Sequence, residues 1–190
     1  MGYAVAEAAV ARGHEVTLVS GPVCLAAPAG VRMVRVVSAA EMLAAVTAEF
    51  QSADALVMAA AVADFRPRMV RSLKLKKGTG LQAIELEPTE DILSSLLRLK
   101  RGQTVVGFAA ETGDPVAEAE RKRRAKGADM VVANDVSEPG SGFDVETNRV
   151  TLVEEHLVTP LPLMSKSAVA GRLVEWIESR ARGRAVKAPG

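Results

Sequence analysis

At 190 residues, with 48% hydrophobic and 25% charged side chains, the chain fits one globular domain large enough to bury its own core. A net charge of +1 argues against a nucleic-acid binder working by bulk charge, and the longest apolar stretches are too short to span a bilayer. Cys24 is the single cysteine, so no disulfide forms within the chain and a reducing cytoplasm is the expected home; with only His14 and His156 besides, no His/Cys metal site is expected.

Strands alternate with helices along the chain. Residues 2–12 repeat small apolar side chains at helical spacing, with Gly13 placed to stop them. This start is amphipathic and contains acid, which does not suit a signal peptide, and Ala6 stands where a myristoylation signal needs Ser or Thr. EVTLVS (15–20) and VRMVRVV (31–37) read as strands, and SAAE opens the next helix with Ser38 and Glu41 as a capping box. ADALVMAAAV (53–62) is a continuous apolar strand that breaks off at Asp64, Arg66 and Pro67. RMVRSLKLKKGTG (68–80) is a basic, Gly-ended loop or arm. LQAIELEP (81–88) is strand-like, and TEDILSSLLRLK (89–100) is an amphipathic helix.

TVVGFAAE (104–111) and ADMVVAND (128–135) are buried strands around a helix over 114–127, with Gly127 as its stop. A long loop (136–148) and two edge-like strands precede the last helix, 165–183. The expected architecture is α/β: a Rossmann-like three-layer fold with a mostly parallel sheet. Such a chain should open on a strand and a glycine-rich turn. This one opens on a helix, so the first strand and loop are expected to be missing. Residues 1–183 form one nucleotide-binding domain in this reading, and 184–190 a disordered tail.

In open α/β sheets ligands bind beyond the carboxyl ends of the strands. That rule points to Asp64, to Phe108 and Glu111, and to Asn134 and Asp135. Asp64 could bind a ribose hydroxyl, a base amino group or a metal, or simply form a turn. Lys74, Lys76 and Lys77 could close over a triphosphate, or be a solvated charge run. Lys122 and Lys126 are i,i+4 neighbours that suit an anion, although cations near a helix C-terminus are favourable anyway. Glu90 and Asp91 complement a helix start without any further function, and Asp91 could also reach a ribose.

RGHEVTLVSGPV, AAAVADFRP, KLKK, EPTEDILSSL, VVGFAAET, the Lys122/Lys126 helix, ADMVVANDV and GFDVETN, in that order, resemble phosphopantothenoylcysteine synthetase. This is the ligase part of the bacterial bifunctional coenzyme A biosynthesis flavoprotein, and the likeness is collinear from about Met1 to Trp176. It implies a CTP-dependent ligation. The carboxylate of 4′-phosphopantothenate attacks the α-phosphate of CTP, and L-cysteine then displaces CMP from the acyl-cytidylate. Mg²⁺ is expected to accompany the triphosphate.

By the same resemblance, nucleotide contacts fall on Met58, Ala59, Ala60, Asp64, Lys74, Glu90, Asp91, Ile92, Leu93, Phe108, Lys122 and Lys126. Ala61 is a weaker candidate beside the acyl intermediate, and the catalytic residues themselves are not identified. The family places an Asn and a Ser-Ser-Gly loop ahead of the segment matched by Met1, and in bifunctional members a flavin-dependent decarboxylase domain before that. The chain is therefore expected to be a ligase domain cut at its N-terminal edge. A homodimer through residues 149–163 is implied as well.

Two other readings stand beside this one. A short-chain NAD(P) oxidoreductase needs a Tyr-x-x-x-Lys pair, but Glu7 follows Tyr3 at that spacing. A non-catalytic nucleotide-binding module is the third.

Overall fold

The structure, a computed structural model, describes residues 1–70, 83–111, 114–138, 140–142 and 145–187. Its centre is a five-stranded sheet in the order β10-β9-β7-β6-β3. Here β3 (Ala55–Met58), β6 (Thr104–Glu111) and β7 (Met130–Asp135) are parallel. The strands β9 (Thr151–Val153) and β10 (Val158–Pro160) extend it antiparallel. The α/β, mostly parallel architecture read from the sequence is borne out.

Both faces of the sheet are covered, which is why β6 and β7 could be recognised as unbroken apolar runs. Side chains alternate across β6. Val106 joins a cluster with Val5 of α1 (Gly2–Ala11) and Val169 and Leu173 of α5 (Lys166–Lys187). Val105 joins the opposite cluster with Phe50 of α2 (Ala39–Phe50) and Ile92 and Leu96 of α3 (Ile92–Leu97). On that second face Ala119 of α4 (Pro115–Lys126) packs with Val131 and Ala133 of β7. Three layers result, as expected.

The helix ends follow local rules. Ser38 and Glu41 form the capping box of α2, each side chain satisfying a backbone N–H of the other's end. Asp114 caps α4 ahead of Pro115, and Gly127 closes it at φ +79°, a conformation that favours glycine.

Several elements differ from the sequence reading. Among the described residues the apolar strand at 53–62 is paired only over Ala55–Met58, because the chain leaves the sheet after Met58 although its partner β6 runs on to Glu111. The segment expected as a sheet strand at 81–88 yields β5 (Leu86–Pro88), which pairs antiparallel with β4 (Phe65–Pro67) in a ribbon outside the main sheet. The helix expected from 89 begins only after Asp91, whose side chain caps it by accepting the Ser94 N–H. The last helix runs past 183 to Lys187, into the stretch expected as a tail; residues 188–190, and the basic loop carrying Lys74, lie outside the described residues. Finally, β1 (Val16–Ser20) and β2 (Val31–Arg35) form a separate parallel pair instead of joining β3.

Two contacts set the height of the helices on the sheet. Asp129, just before β7, accepts from Lys100 Nζ at 2.6 Å, from the Val105 N–H at 2.8 Å and from Arg180 Nη2 at 2.9 Å. It ties α5 and the turn after α3 to the start of β6. Burial pushes this carboxyl upward, but the bonds from Lys100, Val105 and Arg180 outweigh it and hold it below the usual carboxylate range. The second contact is at Gly107, where a Cβ would lie 3.1 Å from Leu93 Cδ2, so the absence of a side chain there lets Leu93 of α3 pack close against β6.

Asp129→Ala should therefore destabilise the fold by about 2–3 kcal/mol, trimmed by the partial exposure of Lys100 and Arg180. Because the folded-state pKa is depressed, this stability is present above the unfolded value of about 3.9 and is lost as pH falls through the folded one. Urea midpoints across that acid range should fall less steeply in Asp129→Asn than in the parent. Gly107→Val should cost about 1–3 kcal/mol by overpacking against Leu93, measured the same way.

Candidate functional site

β3 ends beside the middle of β6, with Met58 opposite Gly107 in the register, and β6 runs on to Glu111, opposite Asp135 at the end of β7. After Met58 the chain leaves the sheet through Ala59–Ala63, whose short side chains leave the strand end open. Ala60 and Ala61 are exposed. Thr89 fastens this segment to the start of α3: its N–H donates to Asp64 O at 2.8 Å and its hydroxyl donates to Ala63 O. Asp64 is thereby placed beside Glu90 and Asp91.

Asp91 is heavily engaged. Its carboxylate accepts from the Ser94 N–H at 3.0 Å, from Ser94 Oγ at 2.8 Å and from Lys126 Nζ at 2.8 Å. Burial raises this carboxyl, but the bonds from Lys126 and Ser94 prevail and hold it below the ordinary aspartate value. Glu90 accepts from Ser95 Oγ at 2.8 Å. Lys122 reaches from α4 to Glu111 at the end of β6 and lies 3.7 Å from Glu118. Both lysines are thus on hand at the strand ends, and each is held by a carboxylate.

The expected residues fall into four groups. Asp64 meets the start of α3 through the Thr89 N–H, Glu90 bonds Ser95, and Asp91 pairs with Lys126 of α4, with Lys122 on the same helix. Met58, Ala59, Ala60, Ala61 and Glu90 border a cleft of about 2250 Å³ that runs between β3 and β1. Phe108 stands apart: alternation along β6 turns it to the α1/α5 face, where it packs against the Val106 and Val132 cluster. Ile92 is buried in the α2/α3 core and Leu93 packs against it and Gly107, so these two support the site from within.

Sequence reasoning missed that both lysines are already paired. The Glu118–Lys122 i,i+4 spacing carried that signal; the Thr89 staple carried none. Among the described residues no group of three or more His, Cys, Asp or Glu side chains could hold a metal ion. The Mg²⁺ expected with the triphosphate finds no preformed protein site there. Among the same residues no helix is long and apolar enough to cross a membrane.

Comparison with known proteins follows the same line. Residues 1–180 match the family model of the DNA/pantothenate metabolism flavoprotein C-terminal domain. The chain is 45% identical over 179 residues to the coenzyme A biosynthesis bifunctional protein CoaBC of Bacillus subtilis, covering 93% of this chain and 44% of that protein. It is 42% identical over 180 residues to a cysteine/cysteine sulfinic acid decarboxylase of an unknown prokaryotic organism, covering 93% of this chain and 50% of that one. The chain spans about half the length of these curated relatives. Among solved structures, the C-terminal domain of a CoaBC protein superposes with a TM-score of 0.81 at 43% identity, covering 96% of this chain and 84% of that one. The chain belongs to the DNA/pantothenate metabolism flavoprotein C-terminal domain family.

Proposed function

We propose that the chain is a phosphopantothenate–cysteine ligase domain of coenzyme A biosynthesis, activating 4′-phosphopantothenate with CTP. The observation that carries this reading is the clustering of Asp64, Glu90, Asp91, Lys122 and Lys126 at the strand ends of a chain 45% identical to a coenzyme A biosynthesis protein. In the proposed reaction the pantothenate carboxylate attacks the α-phosphate, pyrophosphate leaves, and the cysteine amine displaces CMP to form the amide. The residues of this chain do the electrostatic work. Lys122 and Lys126 exchange their carboxylate partners for phosphate oxygens and offset the charge that builds up as pyrophosphate departs.

Ala59, Ala60 and Ala61 let the nucleotide approach the backbone after β3, and the backbone around Glu90–Leu93 and the Asp64 carboxylate face the ribose and base. Lys74 is assigned to the triphosphate on the resemblance alone. Magnesium would supply charge neutralisation on the triphosphate, and no step is assigned to it. The exposed, free Cys24 suits a cytoplasmic setting. A homodimer through 149–163 agrees with β10 forming an open sheet edge with Leu157 and Val158 exposed.

Calorimetric titration tests the nucleotide assignment. CTP should bind more tightly than ATP, and NADPH should not bind. Lys122→Ala and Lys126→Ala should each weaken CTP by roughly tenfold or more, about 1.4 kcal/mol. Unchanged affinity in both variants contradicts the phosphate roles, and binding of NADPH alone contradicts the whole reading. Sedimentation at rising concentration should show a dimer; a monomer throughout removes that part of the proposal.

A further inference from the structure

The carboxylates that hold the two lysines are not equivalent. Asp91 is fixed: besides Lys126 it accepts the Ser94 N–H at 3.0 Å and Ser94 Oγ at 2.8 Å, and it cannot turn away without uncapping α3. Glu118 is fixed too, because Arg121 holds it through two bonds of 2.8 and 2.6 Å, while Lys122 lies 3.7 Å from it. Glu111 differs from both. Among the described residues its carboxylate meets one partner, Lys122 Nζ, and accepts from no backbone N–H, hydroxyl or guanidinium.

The backbone of Glu111 is nonetheless held in place. It is the last residue of β6, opposite Asp135 in the register, and its carbonyl accepts the Val136 N–H at 3.1 Å. The pivot is fixed and only the side chain is left to turn. The Glu111 and Lys122 side chains are each 31% exposed, so the pair can open into water without disturbing the core. Opening it leaves Glu111 poorly placed. Neighbouring strands lie about 5 Å apart, and the Asp135 carboxylate beside it is a like charge already bonded to the Ser137 N–H and hydroxyl. Arg121, close enough to feel the Glu111 charge, is taken by Glu118. A Glu111 side chain that has left Lys122 is therefore driven back to it.

We propose that Glu111 is a movable counter-ion that competes with phosphate oxygens for Lys122 and thereby speeds the departure of pyrophosphate. The inference rests on the ligase reading, in which Lys122 meets the triphosphate. Lysines that only attract polyphosphate hold the product as firmly as the substrate, and such uniform binding slows turnover. A carboxylate within reach changes this. Entry of the triphosphate turns Glu111 away from Lys122. Once pyrophosphate has been cut from the nucleotide, Glu111 retakes Lys122 and lowers the affinity for the departing anion. Asp91 and Glu118, fixed by their other bonds, keep the surrounding cations in position while this exchange takes place. Glu111 is a positioning residue in this scheme, acting through Lys122 and touching neither substrate nor product.

Calorimetric titration with inorganic pyrophosphate tests this. Glu111→Gln keeps the shape of the side chain and removes its charge, and it should tighten pyrophosphate by about fivefold, the upper range for a partly solvated pair. Glu111→Asp keeps the charge but shortens the reach, and should tighten it by a smaller factor. Glu120→Gln removes the same charge from an α4 residue paired with Arg124, and should change the affinity by less than about twofold. In a Lys122→Ala background Glu111→Gln should have no effect, because the two residues act as one unit. An unchanged or weaker affinity in Glu111→Gln overturns the proposal, since a mere anchor for Lys122 predicts weakening. An equal gain in Glu120→Gln shows bulk charge and overturns it, as does a gain that survives Lys122→Ala. Absence of pyrophosphate binding in both parent and Glu111→Gln overturns it too. The readout needs neither nucleotide nor turnover, so its failure is distinct from failure of the ligase reading, which the CTP titration decides.

Discussion

Everything in this molecule hangs on β6. Its first four residues are buried, its side chains feed two separate cores, and its two neighbours β3 and β7 hold it from either side. A strand so enclosed must be apolar along its length and can turn polar only where it emerges, at Glu111. The polar groups of the site therefore collect at the carboxyl end of β6 and its neighbours because nowhere else on these strands can satisfy them. Gly107 adds a second constraint. By letting Leu93 lie close, it sets the position of α3, and with it the place of Asp91 at the head of that helix.

The electrostatics of the site follow from that geometry. Arg121, Lys122 and Lys126 face Glu111, Glu118 and Asp91, so the cluster is balanced and attracts a polyanion only weakly from a distance. Each pair is partly solvated and so is held only weakly. A triphosphate offers the same lysines several charged oxygens at once. Under the proposed function, exchange of carboxylate for phosphate is locally favourable, while the carboxylates keep the lysines in place beforehand. This is preorganisation at low cost: the cations need not be gathered when the ligand arrives.

What the sequence made legible was the punctuation and the buried runs. Ser38 with Glu41, Asp114 with Pro115, and Gly127 marked helix ends through local hydrogen bonding that needs no tertiary partner. The strands β6 and β7 stood out because burial on both faces leaves Val105–Ala110 and Met130–Ala133 without a polar side chain. The limits of β3 were not legible, since Ala59–Val62 are as apolar as the strand, yet the chain leaves the sheet after Met58 while β6 runs on to Glu111. The β4–β5 ribbon depends on a pairing across about twenty residues that no local pattern announces. Of the site, Lys122 and Lys126 were visible as a helical pair and Asp91 as a helix start. The bridge between Lys126 and Asp91 was not, because it joins two helices through the tertiary fold. Phe108 shows the opposite limit: its position along the strand was legible, but the parity of β6 decides its face.

Two features of the chain meet at the end of β3: an opening over small residues and a backbone edge that is unpaired among the described residues. The account assigns the first to CTP. The most direct test is a titration of isotopically labelled chain with CTP, followed by backbone amide shifts in NMR. The account predicts saturating shifts concentrated at Ala59–Ala61, Asp64, Glu90–Leu93 and the second half of α4, with Leu152–Pro160 unmoved. Shifts confined to other surfaces, or no shifts on addition of CTP, would contradict it.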